Sequence, residues 1–192
     1  MIFCHVPRTG GTSLTEYVWP HLGKYDLIDG RGPQLEKHQA LKSIKRGLRR
    51  TDAFDKYTKF AIVRHPFTRF ASLYQGHRGP ESAPELIEKL HAGGKDSGIW
   101  AFYWSAQRWL CDGDRYENLL ADRVFRIEDG TEQIKIFLLK QGIPLSAFPH
   151  VNRGTHTKKS KAYYDGMEAL CGDVMGQFRE LYAWDYGRFQ YG

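Results

Sequence analysis

Cysteine is scarce. Cys4, Cys111 and Cys171 are an odd number, lie far apart and lack Cys-x-x-Cys spacing. That pattern excludes a disulfide framework and a cysteine-ligated zinc site, and it suits the reduced thiols of a cytoplasmic protein. Long hydrophobic runs are missing too. The first one, Met1 to Phe3, gives way at once to polar residues, so neither a secretory signal peptide nor a membrane anchor is expected in this sequence. There is no low-complexity tract and no internal repeat, which excludes solenoids and fibrous folds. A Walker loop is absent as well: Gly10-Gly-Thr-Ser13 is present, but no lysine precedes Thr12. No strand-end aspartate stands out as a magnesium ligand, and no ligand cluster for any metal is evident.

What remains is an ordinary globular composition, 41% hydrophobic and 26% charged over 192 residues, enough for one domain spanning 1–192 with a proper core. The net charge of +6 favours an anionic partner without saying which. Lys42, Lys45, Arg46, Arg49 and Arg50 form the densest basic cluster and read equally well as a solvated helix face.

The most informative stretch is the first. Ile2 to Val6 reads as a short buried strand, Pro7 opens a turn, and a helix begins near Thr12. Gly10 and Gly11 permit a close ligand approach, and Thr12 and Ser13 suit a helix N-cap. The first-turn N–H groups have no intrahelical acceptor, so such a turn is a ready anion site, and Arg8 adds a permanent charge at its lip. The first helix carries Leu14, Tyr17, Val18 and Leu22 at helical spacing. Tyr25 to Ile28 reads as a second strand, Gly30 to Pro33 as a break, and Leu35 to Leu48 as a helix with His38 in its first turn.

A second informative stretch comes later in the chain. Phe60 to Val63 is a compact apolar strand of the parallel-sheet kind. Pro66 ends it and suits the first position of the next helix. Arg64 then stands at a strand's carboxyl end, where open α/β sheets bind ligands, and Ser72 lies about a turn and a half into the helix. Arg69 reads as a structural ion-pair partner.

Farther on, Gln75 to Gly98 is polar and glycine-rich around a helix from Pro84 to Leu90, with part of it expected as a mobile surface loop, and Ile99 to Leu110 is an aromatic-rich helix whose stripe reads as core. Arg123 to Ile127 is a strand, and Thr131 to Gln141 a helix closed by Gly142. Ile143 to Lys161 is a loop bearing Arg153, Lys158, Lys159 and Lys161, and a long helix starting near Ala162 covers one sheet face. Strands alternating with helices make this an α/β domain.

Taken together, the two stretches resemble those of sulfotransferases that use 3′-phosphoadenosine 5′-phosphosulfate (PAPS), most closely the carbohydrate-type branch with short bacterial members. That family's phosphosulfate loop reads His-x-Pro-Lys-Thr-Gly-Gly-Thr-Ser; His5-Val-Pro-Arg-Thr-Gly-Gly-Thr-Ser13 differs only at Arg8. Its 3′-phosphate motif, Arg-x-Pro-x-x-Arg-x-x-Ser, matches Arg64 to Ser72 throughout. Weaker echoes are Lys37-His38, Phe125-Arg-Ile-Glu128 and the stretch from Asn152 to Tyr164.

The resemblance implies a three-layer P-loop-like sulfotransferase fold, with a central, mainly parallel sheet flanked by helices. It implies PAPS as co-substrate without a metal. Arg8, Thr9, Gly10, Gly11, Thr12, Ser13, Arg64, Ser72 and Arg153 would hold that donor. Sulfuryl transfer would go to an acceptor hydroxyl of a glycan or small molecule, with Arg8 stabilising charge and His38 as the base. His5 reads as a core histidine and His65, beside Arg64, as a turn-stabilising or phosphate-facing residue. Arginine in place of lysine at position 8 can stabilise charge but is a poor general acid. Two rivals stay open: a P-loop nucleotide-dependent kinase, and a non-catalytic basic protein binding nucleotides or nucleic acid. No nucleic-acid partner is expected on the favoured reading, and neither the acceptor nor the oligomeric state is legible in the residues.

Overall fold

The computed structural model describes residues 1–23, 26–28, 38–48, 51–76, 81–93, 98–113, 115–144 and 161–191. In chain order its elements are β1 (Ile2–Cys4), α1 (Gly11–Val18), β2 (Leu27–Ile28), α2 (Leu41–Gly47), α3 (Thr51–Asp55), β3 (Lys59–Val63), α4 (Pro66–Gly76) and α5 (Ala83–His91). There follow α6 (Ala106–Leu110), β4 (Cys111–Asp112), β5 (Asn118–Leu119), β6 (Arg123–Arg126), α7 (Glu132–Lys140), α8 (Lys161–Leu170), α9 (Met175–Leu181) and α10 (Ala183–Phe189). The chain divides into two compact units, Met1–Arg64 with Ala106–Arg153, and His65–Ser105 with Gly154–Gly192.

The first unit is built on a parallel sheet of four strands in the order β2-β1-β3-β6. β1 and β3 are buried on both faces, which is why Ile2–Cys4 and Phe60–Val63 are unbroken apolar runs rather than alternating ones. Alternate side chains still sort to opposite sides. Phe3, Phe60 and Ile62 pack with Leu14, Tyr17 and Val18 of α1 and with Ile134 and Leu138 of α7. On the other side, the Cys4 thiol lies within reach of the carbonyl oxygens of Gln39, before α2, and Trp109, within α6, alternative acceptors for its single S–H. The sheet is thus flanked by helices, an α/β architecture. α7 ends as its sequence indicates: Gly142 has φ 82, the Gly142 N–H donates to Leu139 and the Ile143 N–H to Leu138, a Schellman closure.

Strand order determines where a ligand can enter the sheet. From β1 the chain crosses to β2 on one side, and from β2 it passes to β3 on the other side of β1. The carboxyl edge between β1 and β3 is therefore a topological switch point, where connections diverge and leave a crevice.

In the second unit, Phe67, Phe70 and Leu73 of α4 pack with Leu86 and Ile87 of α5 and with Phe178 and Tyr182 from the C-terminal helices. α5 begins with a reciprocal cap between Ser82 and Glu85. Arg69 is only 1% exposed, and its guanidinium donates to the carbonyls of Phe102 (3.0 Å) and Trp104. It is a structural residue, as expected, with carbonyls rather than a carboxylate as these acceptors.

Several sequence expectations need correction. The aromatic stretch is not one helix. Gly98–Tyr103 is a 3-10 turn and α6 starts only at Ala106, because Arg69 takes carbonyls at positions 102 and 104 that a continuous helix would use. Its aromatics are core in part: Tyr103 and Trp109 are buried. The C-terminal helix is three helices. Gly172 and Gly176 lower helix propensity near the break, and the bends let Phe178 and Tyr182 reach the core. The helix expected over 35–48 starts at Leu41, since His38 has φ 59 and Ala40 is extended. The first strand ends at Cys4, so His5 lies just beyond it. The expectations for Tyr25, Gly30 to Pro33, Lys37, Arg49, Arg50, Arg153, Lys158 and Lys159 lie outside the described residues. Among those described, no helix is long and apolar enough to cross a membrane.

Candidate anion-binding site

Residues 5–13 leave the carboxyl end of β1 and form a tight turn. Arg8 has φ 65 and Gly10 φ 85, two left-handed residues in a span of three. The turn is closed from inside by the Thr9 hydroxyl, which donates to the Val6 carbonyl at 2.8 Å. Thr9 is fully buried, so it shapes the turn rather than facing solvent. Gly10, not Thr12 or Ser13, is the N-cap of α1, and it makes no side-chain cap bond. The left-handed angle at Gly10 draws the helix start back to Gly11, and this corrects the expected cap. Thr12 and Ser13 then sit half-buried in the first turn. The first intrahelical bond runs from Leu14 N–H to Gly10 O, so the N–H groups of Gly11, Thr12 and Ser13 precede the ladder.

The two glycines have different reasons: Gly10 is favoured by its left-handed φ of 85, and Gly11 by what lies beneath it. A Cβ on Gly10 would lie 2.8 Å from Ile127 Cδ1. One on Gly11 would lie 2.1 Å from His5 Cδ2 and 2.3 Å from His5 Nε2. The sequence alone suggests a plain core histidine at position 5; in fact the His5 ring is the floor beneath the helix start. It is 4% exposed, stacks on Phe3 at 5.7 Å and meets the His38 ring at 4.2 Å. His38 Nδ1 lies 3.2 Å from the His5 carbonyl oxygen. Nothing in residue spacing announces that contact, because it depends on the left-handed turn at position 38.

Arg64 follows β3 directly, as expected, and is half-buried. β1 and β3 are neighbours, so Arg64 and the 5–13 turn emerge from one edge of the sheet. The Arg64 Nη1 donates to the Arg8 carbonyl oxygen at 3.4 Å. The Arg8 backbone, the Arg64 guanidinium and the start of α1 thus meet in the first unit, a combination of positive charge and helix N-terminus that attracts anions. Ser72 lies on α4 of the second unit and is half-buried. Also in that unit, His65 is held edge-on between the rings of Tyr186 (5.5 Å) and Tyr191 (5.3 Å), in keeping with a turn residue. Among the described residues, no group of three or more His, Cys, Asp or Glu forms a metal site.

Comparison with known proteins agrees with this geometry. No curated protein and no solved structure matches the chain. The model of the family described as "Sulfotransferase family" matches residues 1–192, the whole length. A glycine-rich turn and a strand-end arginine at one sheet edge, within a sequence that this family's pattern covers from end to end, lead to one conclusion: the chain belongs to the sulfotransferase family, whose general activity is sulfotransfer.

Proposed function

We propose that this protein transfers a sulfuryl group from PAPS to an acceptor hydroxyl, most fittingly of a carbohydrate or glycoconjugate. The observation that carries the reading is the Arg64 guanidinium at 3.4 Å from the Arg8 carbonyl, which brings the residues of two separate phosphate motifs to a single sheet edge. A donor phosphorylated at both ends of its ribose needs two anion sites within one nucleotide's length. The N–H groups of Gly11, Thr12 and Ser13 with Arg8 take the 5′-phosphosulfate. Arg64 takes the 3′-phosphate. The residues present fit such a donor: the turn is free of Cβ atoms at Gly10 and Gly11, and arginine can grip phosphate in a bidentate manner.

The acceptor hydroxyl loses its proton to His38 as its oxygen bonds to sulfur. The bond from sulfur to the bridging phosphate oxygen breaks, and 3′-phosphoadenosine 5′-phosphate (PAP) leaves. Negative charge grows on that bridging oxygen, and in this reading Arg8 and the first-turn N–H groups stabilise it. Arg8 contributes charge and no proton, so the leaving group departs as an anion.

The deciding experiment is a thermal-shift comparison of PAP with ATP and magnesium, followed by a donor-bound screen of hydroxylated acceptors read as PAP release. Stabilisation by PAP with turnover of a hydroxylated glycan is expected. Stabilisation only by ATP with magnesium would move the reading to a kinase. Salt-sensitive affinity for duplex or single strands, with no response to PAP, would move it to a nucleic-acid binder.

A further inference from the structure

We propose that His5 is a positioning residue for His38, holding the base with its proton on Nδ1 and its lone pair on Nε2. This rests on the reading of His38 as the base, but every contact involved lies within the first unit. A carbonyl oxygen can only accept, so the 3.2 Å contact between His38 Nδ1 and His5 O requires Nδ1 to carry the hydrogen. In a neutral imidazole that leaves Nε2 as the accepting nitrogen. Unconstrained imidazole side chains favour the opposite tautomer, so the environment selects this one.

The selection has identifiable parts. His38 is in the left-handed region with φ 59, a conformation that in a non-glycine residue persists where neighbours over-determine it. One neighbour acts twice here: the His5 carbonyl holds the Nδ1 edge, and the His5 ring packs against the His38 ring at 4.2 Å. His5 itself is fixed on two more sides, by Phe3 and by Gly11. The ring that floors the anion-binding helix start is therefore the ring that orients the base. During transfer the arrangement works in one direction. The acceptor O–H proton passes to Nε2, and the imidazolium that results keeps its Nδ1–H on the His5 carbonyl.

Long-range proton–nitrogen NMR of the wild-type imidazoles, without ligand, reads the tautomer directly. His38 is expected as a single Nδ1–H form. A Nε2–H form or a mixture overturns the proposal without any variant being made. His5→Ala keeps the carbonyl and removes the ring. It should release His38 into a mixture dominated by Nε2–H and lower kcat by about 10- to 100-fold, the loss expected when a reacting group drifts by about an ångström. His5→Phe restores a flat ring and should restore the Nδ1–H signal and much of kcat. An unchanged His38 spectrum in His5→Ala, or a His5→Phe spectrum like that of His5→Ala, overturns it. Failure of the wild-type protein to transfer sulfate to any acceptor would instead sink the donor reading, since the tautomer is read on the free protein.

Discussion

Replacing Gly11 with alanine sets two physical effects against each other. Gly11 is the first residue of α1, and alanine there should gain up to about 1 kcal/mol from helix propensity. Packing opposes the gain. The new Cβ would lie 2.1 Å from His5 Cδ2, 2.3 Å from Nε2 and 2.7 Å from Cγ, against an optimal carbon–carbon contact of about 3.5–4.0 Å. The ring has no room to yield: His5 is 4% exposed and lies between Phe3 and His38. Overpacking of this kind costs about 1–3 kcal/mol, so Gly11→Ala should be destabilised by roughly 1–2 kcal/mol net. For a chain of this length that is a melting-point loss of about 2–8 °C, readable by circular dichroism or as a lower urea midpoint. In His5→Ala the clash partner is gone, and adding Gly11→Ala should then be neutral or stabilising. The double-mutant cycle should give a coupling of about 1 kcal/mol or more. A Gly11→Ala protein as stable as the wild type, or a cycle that is additive within about 0.5 kcal/mol, would refute the packing argument.

Other outcomes rest on the same geometry. Arg64→Ala should weaken PAP much more than adenosine 5′-phosphate in calorimetric titration; equal weakening would contradict a 3′-phosphate role. His38→Ala should lower kcat by about 10²- to 10⁴-fold and leave the dissociation constant of PAP unchanged, measured by single-turnover kinetics and titration. Burial, helped by Glu168 and Asp185 and opposed by Arg179, pushes the Tyr186 phenol up to about 12. Its contribution to stability is whole below pH about 10, the unfolded value, and is lost as pH rises from there toward 12. Tyr186→Phe should flatten that alkaline loss in urea titrations; an unchanged alkaline slope would argue against the shift.

Much of this protein is legible in its residues alone. β1 and the Phe60–Val63 part of β3 are short apolar runs because both faces of a parallel strand are covered, and Pro66 and Gly142 mark helix ends through their own backbone preferences. The two phosphate motifs are local signals: each needs only a strand end followed by a helix, and a contiguous sequence can encode that. Register and face are different matters. That Arg64 meets the Arg8 carbonyl results from β1 and β3 being neighbours, a pairing made across 56 residues of chain. The aromatic stretch departs from its helical pattern because Arg69, more than thirty residues upstream, takes its carbonyls. Helical spacing of Leu41, Ile44 and Leu48 extends naturally backward over His38, whereas a left-handed residue leaves no periodic trace. Composition and motif thus determined the fold class and pointed to the candidate anion site, since those rest on short-range backbone chemistry. The tertiary structure alone decided that a buried histidine lies under the helix start with a second histidine on its carbonyl, because only packing brings residues 5, 11 and 38 into one contact.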